Sequence, residues 1–249
     1  MKIHILMGTH LAEISQCINH LVKSTKDLGE VEIHHPAEYE WASAGQDQVS
    51  LHAYDPETVL WVFDPDRQAT AFIVVDPRTD LIGQLEHLAD NLAKCQIEPV
   101  KVITCVDCEQ TEQSAKLRAW YEACIYYSDI VLLGNRQNAG KSFVREYQKH
   151  FERLCYPCLF MLLKGAGNPT QPDEILTPGP RRISQMFDLP RNSPDEPLPG
   201  MVIEASCDLD MEESEIDPFR FPADEDSAIH VPNPSEFIIV PRPQFHKNP

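Results

Sequence analysis

Short apolar runs alternate with segments of helical period over residues 1–164, and that alternation leaves this chain few ways to fold. Lys2 to Met7, Ala71 to Val75, Val100 to Val106, Ile130 to Leu133 and Cys158 to Leu163 are rich in Ile, Val, Leu and Phe. Such runs suit strands buried on both faces. Between them, apolar residues recur at three and four positions: Leu11, Ile14, Ile18, Leu21 and Val22, then Leu81, Leu85, Leu88 and Leu92, then Phe143, Tyr147, Phe151 and Leu154. Each set predicts a helix with one buried face. A further helix is expected from about Glu112 to Tyr127, with strands at Val31 to His34 and Val59 to Phe63 in the less regular stretch 28–70. Strands alternating with helices imply right-handed crossovers. The expected fold is therefore α/β, a three-layer sandwich around a mostly parallel sheet.

Composition changes after Lys164. Six of the 21 prolines lie in residues 1–164 and fifteen in 165–249, and the net charge is -8 over the first stretch and -10 over the shorter second one. Proline removes backbone donors and interrupts helices. The acidic run Asp208, Asp210, Glu212, Glu213, Glu215 and Asp217 has few large apolar neighbours with which to build a core. Residues 165–249 thus read as a Pro-rich acidic extension of an α/β domain at 1–164. Within the extension, Glu236 to Val240 is apolar enough to dock as an edge strand, while Pro190 to Pro232 is expected to be peripheral. The net charge of -18 opposes binding to nucleic acid or to an anionic membrane surface. No apolar run approaches the ~20 residues of a membrane span. The expected location is cytoplasmic and the expected partner is a protein.

Ligands of parallel α/β sheets bind outside the carboxyl ends of the strands, which directs attention to Gly8, Asp76, Asp107 and Gly134. Gly8-Thr-His-Leu-Ala-Glu13-Ile14-Ser15 follows a strand and opens a helix with the spacing of a phosphate loop, and continues Cys17-Ile-Asn19-His20-Leu21. It resembles the start of the CobW-type metal-chaperone GTPases, a P-loop NTPase family. Phe72 to Asp76 with Pro77-Arg78-Thr79 resembles that family's switch strand. Val102 to Asp107 resembles its next strand, and Ser128-Asp129-Ile-Val-Leu-Leu leads to Asn135-Arg136-Gln137-Asn138 in place of the base-reading N-K-x-D. The resemblance covers roughly residues 1–164 and implies a remnant nucleotide site at Gly8, Ser15, Asp76, Asn135 and Asn138.

The departures fall on the residues that do the chemistry. Phosphate loops aim backbone N–H groups and one Lys at the phosphates, whereas Glu13 stands at the second glycine and Ile14 at the lysine. Ala71 replaces the magnesium-linked Asp. Asn138 offers guanine one acceptor and a mismatched donor where an Asp would accept two hydrogen bonds. The family's Cys-rich metal motif is missing, since Cys17 is the only cysteine before Cys95. The resemblance thus implies a pseudo-GTPase that serves as a binding or regulatory module, with no catalytic residue and no bound cofactor expected.

Two alternatives use other residues. Gly134-Asn-Arg-Gln-Asn-Ala-Gly140-Lys141-Ser142 also follows a strand and opens a helix, as a phosphate loop with one extra residue. Lys141 and Ser142 would then hold GTP or ATP with magnesium, with Leu176-Thr177-Pro178-Gly179 as the switch. The pairs Cys105/Cys108 and Cys155/Cys158 have the internal spacing of zinc knuckles or of a thiol redox pair. In a parallel sheet, however, Cys105 closes one strand and Cys158 opens another, which separates them by a strand length of ~17 Å. No metal site is expected.

Overall fold

The computed structural model describes residues 1–25, 28–41, 48–59, 61–165, 167–189 and 231–234, with the Lys141 side chain excluded. Chain order is β1 (Lys2–Met7), α1 (Leu11–Ser24), β2 (Glu30–Pro36), β3 (Val49–Tyr54), β4 (Ala69–Val74), α2 (Leu81–Lys94) and β5 (Lys101–Asp107). There follow α3 (Cys108–Gln113), α4 (Ala115–Tyr126), β6 (Ile130–Gly134), α5 (Lys141–Arg153), β7 (Leu159–Lys164), β8 (Asn168–Pro169) and α6 (Pro172–Leu176). The eight strands form one sheet in the order β3-β2-β4-β1-β5-β6-β7-β8. Every neighbouring pair is parallel except β7 with β8. The protein is α/β with a mostly parallel sheet, an arrangement compatible with three layers.

Alternation along the strands divides the core in two. Ile3, Ile5 and Met7 of β1 and Ala71 and Ile73 of β4 join the cluster that holds Leu85, Leu88 and Leu92 of α2, Trp120 and Tyr121 of α4, and Tyr147 and Phe151 of α5. Leu6, Phe72 and Val74 face the other way, onto Ile14, Ile18 and Leu21 of α1 and Ile175 of α6. This is the period of two along a strand meeting the period of 3.6 along a helix.

Two local expectations are corrected. Among its described residues, Val59 to Phe63 is not a strand: Trp61 and Phe63 turn inward as an aromatic cluster with Tyr54 and His34, while Val62 is exposed. The sheet edge beside β2 is instead β3, whose side chains are mostly exposed and whose apolar signal is weak. The helix expected over residues 112–127 is broken at Ser114, which ends α3 and caps α4 by accepting from the Leu117 N–H at 3.2 Å.

Residues beyond Lys164 are woven into the same body. β8 pairs with β7, Ile175 is fully buried, and Phe187 and Val231 pack on the cluster that holds Trp120. The expected docking strand at 236–240 and nearly all of the segment from Pro190 to Pro232 lie outside the described residues. No described helix is long and apolar enough to cross a membrane.

Candidate functional site

β4, β1, β5 and β6 are adjacent and parallel, so the loops after them share one edge. Gly8 sits where β1 crowds β5: a Cβ there would lie 2.6 Å from the Cys105 carbonyl oxygen. Tyr121 ties this edge together. Its Oη accepts from the backbone N–H of Thr9 at 3.3 Å and of Asp107 at 3.2 Å. With both lone pairs so engaged, its hydroxyl donates to Thr9 Oγ1 at 2.8 Å. Burial pushes the Tyr121 phenol above its ordinary range, which keeps that donor in place.

On α1, the three positions that matter to a phosphate loop have other roles. Ile14 is fully buried in the core. Ser15 is buried with its Oγ unpartnered among the described residues. Glu13 lies over the end of β6, where a Cβ on Gly134 would fall on its carboxylate oxygens. The nearest basic group is His10, whose Nδ1 is 3.8 Å from Glu13 Oε2. The Glu13 carboxylate beside it raises the His10 pKa against the opposing effect of burial.

Asp76 follows β4 and is buried, but both of its oxygens are engaged. Oδ1 accepts from the Arg78 backbone N–H and from Arg78 Nε at 2.9 Å each, and Oδ2 accepts from Arg78 Nη2 at 2.6 Å. This pair raises the Arg78 pKa further. Thr79, at the expected switch glycine, sets its Oγ1 3.5 Å from the Asp76 carbonyl. Ala71 lies mid-strand, paired with Ile3 and buried in the core.

The loop from Gly134 to Ser142 is a strand–turn–helix connection at the same edge. Asn135 takes a left-handed conformation at φ 46°, which Asn tolerates. Its Nδ2 donates to Asp107 Oδ2 at 2.8 Å, and Asn138 Nδ2 donates to Glu109 Oε2 at 2.8 Å. The Gly140 N–H donates to Glu112 Oε2 at 2.8 Å. Asp107 also caps α3 through the Gln110 N–H. Lys141 is the first residue of α5 and Ser142 is exposed. The matching switch does not join them: Gly179 accepts from the Lys101 side chain, and the Arg181 N–H reaches Asp129, both at the amino ends of β5 and β6. Leu176 to Gly179 therefore sits at the far end of the sheet from Gly134.

The cysteine pairs do not converge either. Cys105 faces the α1 side and Cys108 the opposite cluster. Cys155 is exposed and Cys158 buried. Burial pushes the Cys108 and Cys158 thiols up to about 12, far from thiolate chemistry at neutral pH. No three His, Cys, Asp or Glu side chains among the described residues are placed to hold a metal.

Two recesses open at the carboxyl edge. One, of about 460 Å³, lies beyond β2, β3 and β4 and is walled by Glu38, Tyr54, Asp55, Glu57, Asp76 and Arg78. The other, of about 400 Å³, lies beyond β6 and β7, between Glu13 and the residues Asn135, Arg136, Gln137 and Lys164. The sequence pointed to this edge but missed Arg78, Glu109, Glu112 and Tyr121. The spacing Asp76-x-Arg78 and the run Asp107-x-Glu109-x-x-Glu112 were the available signals. The chain matches no family model, no curated protein and no solved structure.

Proposed function

We propose that this chain is a P-loop-like α/β module related in pattern to the CobW-type GTPases, that it neither binds nor hydrolyses GTP usefully, and that it acts by binding, with a protein as its partner. One observation carries the reading: both loops suited by position to hold phosphate are already occupied by the protein's own carboxylates. Glu13 lies in the first, and Asp107, Glu109 and Glu112 hold the donors of the second. A phosphate ~4 Å from the Glu13 charge would be repelled by about 4 kcal/mol at a near-surface dielectric, or about a thousandfold in affinity. Asp76 supports the same reading, because its pair with Arg78 already neutralises the carboxylate and engages both of its oxygens. Titration calorimetry with Mg-GTP and Mg-ATP tests the proposal. No binding is expected up to millimolar nucleotide, and a micromolar dissociation constant for either would sink it.

A further inference from the structure

The Glu13 side chain is 7% exposed, and what is exposed of it lines the recess beyond β6 and β7. A buried carboxylate is unfavourable unless donors satisfy it. Among the described residues no hydrogen-bond donor reaches it, since His10 Nδ1 at 3.8 Å is beyond hydrogen-bond range. The fold nevertheless makes room for the group, because only the missing Cβ of Gly134 leaves space for its oxygens. The other charged residues of the lining have the opposite sign. Arg136 spends one donor on the Leu163 carbonyl at 3.3 Å and keeps a buried Nε without a partner among the described residues, and Lys164 stands beside it. The Asn135 amide nitrogen is committed to Asp107. At about 400 Å³ the recess has the size of a small-molecule site.

We propose that this recess binds a small zwitterion that carries a guanidinium or ammonium group against Glu13 and a carboxylate against Arg136 and Lys164. The inference rests on the reading of this edge as one that has lost phosphate chemistry, and it names what replaces the phosphate. Glu13 supplies two acceptor oxygens in one plane, which suits the paired N–H groups of a guanidinium. Arg136 and Lys164 supply the donors for the anionic end.

Calorimetric titration of the full chain with L-arginine, with agmatine as the same cation lacking the carboxylate, and with inorganic phosphate tests this. L-Arginine is expected to bind and to shift the amide resonances of Gly134 and Gly165. Agmatine should bind more weakly. Glu13→Gln should weaken both ligands at least about tenfold, the value of a charge-assisted hydrogen bond, whereas Lys164→Gln should weaken L-arginine alone. Thermal melting of Glu13→Gln checks its fold, and the resonance shifts in the unaltered chain stand whatever that variant does. Absence of L-arginine binding and of resonance shifts, or equal affinity in a folded Glu13→Gln, overturns the inference and leaves the loss of phosphate chemistry intact. Binding of inorganic phosphate to this recess overturns both.

Discussion

Asp129 is the residue whose removal should damage the fold most. It is fully buried just before β6. Its Oδ2 accepts from the Val102 N–H at 2.7 Å and its Oδ1 from the Arg181 N–H at 2.5 Å. Arg182 Nη1 lies 3.2 Å from Oδ2, and that side chain is only 3% exposed. The carboxylate thereby joins the start of β5 to a segment well past the sheet's last strand. Asp129→Ala strands the buried Val102 N–H, at about 1 to 3 kcal/mol, leaves the part-buried Arg181 N–H to water, and breaks half of a buried ion pair, whose breakage costs about 3 to 5 kcal/mol. These overlap, and Arg182 keeps Asp188 at 2.6 Å. The net expected loss is about 4 kcal/mol, a large part of the 5 to 15 kcal/mol typical of a domain. Urea unfolding with a fitted slope measures it. Arg182→Met should cost less, because Asp129 retains both backbone donors. A loss below about 1 kcal/mol for Asp129→Ala at unchanged slope would refute the assignment of this residue as the tie between the two segments.

Other expectations follow from buried groups. Burial, with Lys2 and Lys101 nearby, lowers the fully buried His4 from 6.5 to about 3. The unfolded chain therefore binds the proton that the folded chain refuses, and stability should fall as pH drops from 6.5 towards 3, by up to about 4 kcal/mol from this group. His4→Phe, beside the stacked Phe72, should flatten that slope in urea midpoints measured from pH 7 to 4. His34, lowered to about 4 chiefly by burial, acts in the same direction and should keep the variant from becoming wholly flat. Gly134→Ala should cost about 1 to 3 kcal/mol through overpacking on Glu13, and most of that loss should vanish in a Glu13→Ala background. Gly8→Ala clashes with a backbone oxygen instead, so the same background should not rescue it.

How much of this was legible in the sequence depends on what each residue answers to. β1 and α1 were legible because their periods are strong and uninterrupted: the run Lys2–Met7 is the strand itself, and Leu11 to Val22 faces the core on one side. β3 was not, because an exposed edge strand such as Val-Ser-Leu-His-Ala-Tyr carries little apolar signal and is fixed by backbone pairing with β2. The aromatic stretch at Trp61 and Phe63 misled for the complementary reason: it is apolar enough for a strand, but its side chains are spent on packing. At the site, positions were legible and partners were not. Strand ends put Gly8, Asp76, Asp107 and Gly134 on one edge, yet the donors that close Asp76 and the acceptors that close the Gly134 loop depend on register and side-chain reach. The interruption at Ser114 was written in the sequence as a cap residue, between the polar turn Glu109–Gln113 and the apolar period that starts at Leu117.

The same geometry decides whether the first loop can be given phosphate chemistry. If only two unfavourable side chains stood against phosphate there, Glu13→Gly with Ile14→Lys would let the loop bind it. Position 14 opposes this. Ile14 is fully exposed to the core and not at all to solvent, packed among Leu6, Ile18 and Cys105, and its Cδ1 would be 3.1 Å from a Cβ on Gly8. A lysine there must either leave its ammonium unpaired among apolar side chains or unwind the first turn of α1 to reach the edge. Such burial, and the loss of apolar packing with it, is expected to cost about 3 to 5 kcal/mol. The double variant should therefore melt well below the unaltered chain and still give no heat with Mg-GTP, since Asp76 stays closed by Arg78. A variant that melts normally and binds Mg-GTP at micromolar concentration would show that position 14 faces the ligand edge and that Asp76 paired with Arg78 does not keep the nucleotide out.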